Sequence, residues 1–379
     1  MKIHRTSNSD RGALRVLFIA SLPPPTTGQS LACQALYDDL ERRGYVTRVV
    51  NLSKNTFRQG ATSLGRVFQI AQVVLRAALL SRNAGCVYFT PAESIAGNLK
   101  DLLIMSVLGR SLRSTYLHLH GGAGMRVLLS DRHPWLRRLN AWFLRRVAGV
   151  VVLGDRHLDI YDRLMSPERI HVVRNFAPDE LFVSAGELDE KWAETDVLQV
   201  LFLSNLLPGK GYEELVQAVG RLPSDLSARY RFNFAGGFES DIAKESFLNA
   251  IRPLPNVSYH GTVHGEEKRE LLRNAHLFCL PTYYPYEGQP ISILEAYAAG
   301  CAVATTDHSG IFDIFTPGEN GWQVVPRSPE SLVEMLATVA ACIPEAASVG
   351  HANHAAAGAS FRREHHLAAL RSSLGLKDA

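Results

Sequence analysis

Two successive series of short apolar runs constrain this chain more than any other feature. The first series holds Arg15–Ala20, Tyr45–Leu52, Cys86–Thr90, Ser114–His120, Gly149–Leu153 and Ile170–Arg174. The second holds Val197–Ser204, Arg231–Ala235, Val257–Gly261, His276–Pro281 and Cys301–Thr306. Runs such as Arg-Val-Leu-Phe-Ile-Ala do not alternate apolar with polar, which is the pattern of strands buried on both faces. Stretches with helical spacing separate the runs, and strand–helix alternation builds parallel sheets. Between the series, residues 176–196 are acidic and punctuated by Pro and Gly. We expect an α/β chain of two Rossmann-like domains: residues 1–178, a linker at 179–196, and residues 197–360. A length of 379 residues agrees with two domains.

Composition narrows the class. Five scattered cysteines without a Cys-x-x-Cys point to neither zinc nor disulfides, and fit a reducing cytoplasm. Met1–Gly12 is polar and lacks an apolar signal core. Val67–Leu80 carries Gln69, Gln72 and Arg76 and is too short to span a bilayer. No Gly-x-Gly-x-x-Gly follows a strand, which argues against a dinucleotide oxidoreductase. Charge is asymmetric: residues 1–178 hold 25 Lys+Arg against 11 Asp+Glu, and residues 179–379 hold 15 against 26. A basic first half predicts an anionic surface as partner.

The segment Glu287-Gly288-Gln289-Pro290-Ile291-Ser292-Ile293-Leu294-Glu295 places two carboxylates eight positions apart. Gly288 and Pro290 belong to a loop, Ser292 with Glu295 reads as a capping box opening a helix, and Gly300 ends that helix. Free N–H groups at a helix start attract phosphate. Carboxylate, phosphate cradle, carboxylate is an order that suits a sugar-diphosphate-ribose ligand. In Ser204–Tyr212, Lys210 lies in a Gly-flanked loop after a strand, where it meets a diphosphate as a flexible point charge. Tyr116, His118 and His120 share a strand face, and Gly121-Gly122 lets a ligand come close.

These segments resemble the retaining family 4 glycosyltransferases, whose GT-B fold sets two Rossmann-like domains with parallel sheets face to face across an interdomain cleft. The likeness rests on the Glu-x7-Glu motif, and spans nearly the whole chain with its densest stretch at Val197–Val325. It implies that Glu287 and His120 act at the transferred sugar. It implies donor binding by Gly28, Asn205, Lys210, Gly236, Gly288, Gln289, Pro290, Ile291, Ser292 and Glu295, with Glu295 on the ribose. Asn205 stands where the family has Arg, so one of two phosphate cations is missing or comes from elsewhere. Gly236-Gly237 resembles a turn beneath the base; Ser309-Gly310 and Asp313 resemble the stretch after the following strand. The last helix, 361–379, is expected on the N-terminal domain.

No Asp-x-Asp occurs, so activity without a metal is expected, with a UDP- or GDP-linked sugar as co-substrate and no other cofactor. Arg126–Arg146 holds six arginines and one acid, interleaved with Trp135, Leu139, Trp142 and Phe143 on one helical face. Such a helix fits an anionic membrane, whereas no nucleic-acid recognition motif is present. The expected function is transfer of a hexose-type sugar to a lipid-linked glycan in envelope polysaccharide synthesis. The expected location is the cytoplasmic face of the plasma membrane. The rivals are a GT-B sugar-nucleotide epimerase and a non-catalytic subunit of a transferase complex.

Overall fold

The computed structural model describes residues 14–24, 26–53, 64–193 and 196–376. The polar stretch Met1–Gly12 lies outside them. The chain divides into two compact units, Met1–Arg174 with His366–Ala379, and Asn175–His365.

In the first unit, strands β1 (Arg15–Ala20), β2 (Val46–Asn51), β3 (Cys86–Phe89), β4 (Thr115–His118), β5 (Gly149–Val152) and β6 (Ile170–Val172) form one sheet ordered β2-β1-β3-β4-β5-β6. All its pairings are parallel. Helices α1 (Gly28–Arg42), α2 (Leu64–Ser81), α3 (Ile95–Val107), α4 (Ala123–Leu128) and α5 (Pro134–Leu144) connect the strands. Both sheet faces are covered, which is why its strands read as unbroken apolar runs. Val16, Phe18 and Ala20 pack with Cys33, Leu36 and Leu40 of α1. Leu17 and Ile19 face the opposite way, into a core with Leu102, Met105, Leu136 and Phe143 of α3 and α5.

The second unit repeats the plan. Strands β7 (Leu198–Leu203), β8 (Tyr230–Ala235), β9 (Val257–Tyr259), β10 (Leu277–Leu280), β11 (Ala302–Thr305) and β12 (Gly321–Gln323) are ordered β12-β11-β10-β7-β8-β9. Its pairings are also parallel. The helices are α6 (Ala185–Trp192), α7 (Tyr212–Gly220), α8 (Ser224–Ala228), α9 (Asp241–Ile251), α10 (Gly265–Asn274), α11 (Ile291–Ala298), α12 (Pro329–Ala341) and α13 (Ile343–Ser360). Each sheet reverses its strand order once, at β1/β3 and at β10/β7. Loops leaving the carboxyl ends of strands at such a point part to opposite faces and leave a crevice.

Of the stretch expected as a linker, 179–196, the described residues 179–193 are instead folded into the second unit. Ser184 and Glu187 form a capping box that starts α6. Leu181, Val183 and Leu188 are buried in that unit's core. Glu187 lies in the first turn of α6, where a carboxylate is favoured, and Asp189 and Glu190 line its exposed side.

The last helix, α14 (Arg363–Ser373), begins after Phe361, which is buried in the second unit's core. Leu367, Leu370 and Leu374 join the first unit's core beside α1. There Arg371 Nη1 meets Asp39 Oδ2 at 2.6 Å, with both side chains 4% exposed.

The basic stretch Arg126–Arg146 does not form one helix. It breaks between α4 and α5, where Pro134 takes the first turn of α5. Phe143 and Leu136 point into the core, while Trp135, Leu139 and Trp142 stay exposed. Phe143 therefore leaves the outward face on which it was expected. Among the described residues no single helix is long and apolar enough to cross a membrane.

Removing one partner of a buried ion pair strands the other charge. Asp39→Asn should lower unfolding free energy in urea by about 3–5 kcal/mol. A loss under ~1 kcal/mol would show that Arg371 finds other compensation.

Candidate functional site

The second unit's loops meet at its switch point. Gly211 caps the start of α7 with φ 84°, and a Cβ there would stand 2.3 Å from Pro281 O. The β7 loop thus lies directly against the β10 loop. Tyr283 N donates to Gly209 O at 2.7 Å. Across this contact Lys210 Nζ meets Glu287 Oε2 at 2.7 Å, with the side chains 12% and 9% exposed. The buried Thr282 hydroxyl donates to the same oxygen at 3.0 Å. The ammonium also lies 4.7 Å from the Tyr284 ring centroid. A nearly buried carboxylate thus has a cation and a hydroxyl fixed on one oxygen.

The backbone after Glu287 is held as firmly. Glu287 O accepts from Ser309 Oγ at 2.7 Å, and Gly288 O accepts from Gly310 N at 3.1 Å. Ser309 sits at φ 50°, an unusual backbone state for a residue other than glycine, beside the two-carboxylate segment. Gln289, expected to contact a ligand, is turned inward. Its Oε1 accepts from Asn175 N at 2.7 Å, and its backbone O accepts from Asn175 Nδ2 at 2.8 Å.

Helix α11 starts two residues earlier than the capping box required. Pro290 is its N-cap and no side chain caps it. Ser292 therefore lies inside the helix. Glu295 turns away from the backbone to meet Lys268 Nζ at 2.6 Å. The uncapped first turn retains N–H groups without intrahelical partners. Gly300, at φ 70°, ends the helix as expected, with Cys301 N donating to Ala296 O at 2.9 Å.

Around the neighbouring strand ends, Gly236 has φ 148°, and a Cβ there would stand 1.8 Å from Ser204 O. Leu206 N donates to Gly237 O at 2.8 Å. Asn205 is exposed next to this crossing. The loops after β7, β8 and β10 thus bring together Asn205, Lys210, Gly236 and Glu287, with α11 carrying Glu295. Lys268 was missed in the sequence, since a lysine on a charged helix carries no signal by itself.

The first unit holds the remaining candidates. Gly28 is the first residue of α1 rather than part of the preceding loop, and Thr27 with Ser30 forms the capping box there. Strand β4 stops at His118, which is fully buried, and Nδ1 of its ring lies 2.7 Å from the Tyr88 hydroxyl. His120 follows with Nε2 3.5 Å from the same hydroxyl, its ring 4.1 Å from that of His118. Burial holds the His118 imidazole well below its ordinary pKa and pushes His120 down to about 3. It pushes His366, on α14, down to about 4. These rings are neutral near pH 7 and suited to hydrogen bonding rather than to proton donation.

The space expected over Gly121-Gly122 is filled from within. A Cβ on Gly121 would stand 1.8 Å from Glu93 Oε1, and Met125 N donates to Glu93 Oε2 at 3.2 Å. Gly121 and Gly124 make room for this carboxylate, which no motif announced.

Because these folded-state pKa values are depressed, the histidines support folding above about pH 6.5, and the support falls away as pH drops toward 4 and 3. Each that stays neutral contributes a slope of about 1.4 kcal/mol per pH unit in that window. The melting temperature should fall between pH 7 and pH 5.5, and less steeply for His366→Asn. A flat profile over that range would contradict neutral burial.

Residues 185–353 match the family described as Glycosyl transferases group 1. The 2-deoxystreptamine N-acetyl-D-glucosaminyltransferase of Niallia circulans is 26% identical over 192 residues, 49% of each chain. The N,N'-diacetylbacillosaminyl-diphospho-undecaprenol alpha-1,3-N-acetylgalactosaminyltransferase of Campylobacter jejuni is 28% identical over 173 residues, 43% of this chain and 41% of that one. The chain spans less than half the length of the curated relatives it matches. Among solved structures, Anabaena HepE in complex with UDP and glucose superposes with a TM-score of 0.70 at 17% identity, covering 96% of this chain and 99% of that one. WaaG, a glycosyltransferase involved in lipopolysaccharide biosynthesis, gives 0.69 at 15% identity, covering 96% and 100%. The chain has the GT-B fold, and its residues 185–353 are similar in sequence to the group 1 glycosyl transferases.

Proposed function

We propose that the chain is a retaining glycosyltransferase that moves a hexose-type sugar from a UDP- or GDP-linked donor to a lipid-linked glycan in envelope polysaccharide synthesis. The observation that carries this reading is the Lys210–Glu287 pair at the strand switch point, beside the uncapped start of α11. The diphosphate would lie on the first-turn N–H groups and exchange with Glu287 for Lys210. Gly236 and Asn205 would border the nucleotide, and Glu295 would take the ribose. Glu287, freed of its cation, would face the sugar, and neutral His120 would hydrogen-bond a sugar hydroxyl.

In the reaction the bond from the sugar's anomeric carbon to phosphate oxygen breaks, and a bond to the acceptor oxygen forms on the same face. The acceptor hydroxyl's proton passes to the departing phosphate. Charge grows on the diphosphate as the sugar becomes oxocarbenium-like. Lys210 and the α11 N–H groups are pre-organised for that charge. They supply the neutralisation that a metal gives other transferases, so activity should survive EDTA.

The relative from Campylobacter carries undecaprenol diphosphate in the name of its acceptor. This chain has a surface that suits such an acceptor. Val67, Phe68, Leu75, Leu103, Trp135 and Trp142 are all exposed on the contacting helices α2, α3 and α5. Arg146 lies 3.6 Å over the Trp142 ring. Apolar side chains bordered by arginines suit an anionic leaflet, at roughly 1 kcal/mol per basic residue near the surface. We place the protein peripherally on the cytoplasmic face of the plasma membrane. The exposed, uncharged Asn205 favours a second reading, a non-catalytic subunit that binds without turning over.

Two experiments decide. Glu287→Gln should lower kcat about 10²–10³-fold while nucleotide binding persists; unchanged function of the complex with this variant would favour the non-catalytic subunit. Changing Trp135, Leu139 and Trp142 together to Ser should weaken binding to phosphatidylglycerol vesicles at least tenfold. Equal binding by both proteins would remove the membrane role of this face.

A further inference from the structure

We propose that Lys268 is a specificity-determining residue that reads the ribose of the nucleotide together with Glu295, an inference that rests on the donor-site reading above. Lys268 is the fourth residue of α10, which follows the loop after β9. That loop touches the turn at Gly236, since Gly236 N donates to Gly261 O at 2.7 Å. The start of α10 is therefore tied to the strand ends where the nucleotide is proposed to lie.

Local electrostatics oppose a lysine at this position. The first turn of a helix is its positive end and favours Asp or Glu, as in Glu266 and Glu267 just before it. Those two carboxylates face solvent. Lys268 turns inward, its side chain 19% exposed, and meets a Glu295 side chain that is 3% exposed. Among the described residues, Lys268 makes this one hydrogen bond, and Oε2 of Glu295 makes none. An ammonium has three donors, and a carboxylate oxygen accepts more than one hydrogen bond. The pair thus offers an acceptor beside a donor, in a largely dry place.

A vicinal diol is complementary to that arrangement. One ribose hydroxyl donates to Glu295 Oε2 while its neighbour accepts from Lys268 Nζ. A 2′-deoxyribose lacks one of these groups and leaves its protein partner unpaired. Sites built around a hydroxyl reject analogues lacking it much more strongly than apolar pockets reject a missing methylene. Lys268 also holds the Glu295 carboxylate in place before ligand arrives, so the ordering cost of binding is reduced.

Calorimetry on the full chain tests this with UDP, GDP and their 2′-deoxy counterparts. The wild type should prefer the ribonucleotide at least about tenfold, and Lys268→Leu should bring the ratio within about threefold. Lys268→Leu strands a buried carboxylate and can fail to fold, so Glu295→Gln alone is compared with the double variant Lys268→Leu/Glu295→Gln. The single variant should keep part of the preference and the double variant should lose it. Equal ratios in those two proteins, or a wild-type ratio in Lys268→Leu, overturn the proposal. A wild type that binds both sugars alike overturns it while leaving the donor site standing. A wild type that binds no nucleoside diphosphate overturns the donor site as well.

Discussion

The ion pair between Lys210 and Glu287 is the contact on which the second unit's candidate chemistry depends. It joins the loops after β7 and β10, the two strands at which the sheet reverses order. The loops approach closely because Gly211 stands against Pro281 O, and the pair then closes over that backbone contact. A buried ion pair adds little net stability, because both charges lose water. In the proposed reaction its use is to keep a carboxylate and an ammonium ready where charge would change. Thr282 and Ser309 fix the same residue from two other sides. The result is a carboxylate whose position is set before any ligand arrives.

The first unit holds its candidate groups by a different device. His118, His120 and Tyr88 form a buried chain with Cys33, whose thiol burial pushes up to about 12. None of these groups is charged near neutral pH. Their shared face is the one covered by α1 and α14, so the C-terminal helix contributes to the dryness that keeps the rings neutral. Glu93 fills the glycine loop beyond His120 and fixes it from below. The first unit's candidate groups thus offer rigidity and hydrogen bonding without charge.

Much of the fold was legible because parallel strands bury both faces and leave unbroken apolar runs. Eleven of the twelve strands fall on runs read from the chain, with ends differing by at most two residues, and β12, three residues long, was not among them. The free N–H groups at the start of α11 follow from Gly288 and Pro290, whereas the packing of the β7 loop on the β10 loop shows only in the contacts of Gly211 with Pro281 and of Tyr283 with Gly209. What stayed hidden depends on where side chains turn. Ser292 and Glu295 have the spacing of a capping box, yet the buried pairing with Lys268 wins over a local cap. Gln289 is spent on Asn175, a partner 114 positions away. Gly121, after His120, admits Glu93, a carboxylate 28 positions earlier in the chain. The acidic stretch at 179–196 reads as a tether only until Leu181, Val183 and Leu188 are seen in the core.

In the proposed reaction Lys210 exchanges Glu287 for a diphosphate. The direct measurement is the thermal shift of the wild type and of Lys210→Met with UDP, GDP and the sugar-linked forms of each, in EDTA. At ~100 times its dissociation constant a ligand stabilises its protein by roughly 2.7 kcal/mol, which is readily seen. A shift with one nucleotide family is expected in the wild type, and a much smaller one in the variant at the same concentration. Equal shifts in the two proteins, or none in either, would contradict it.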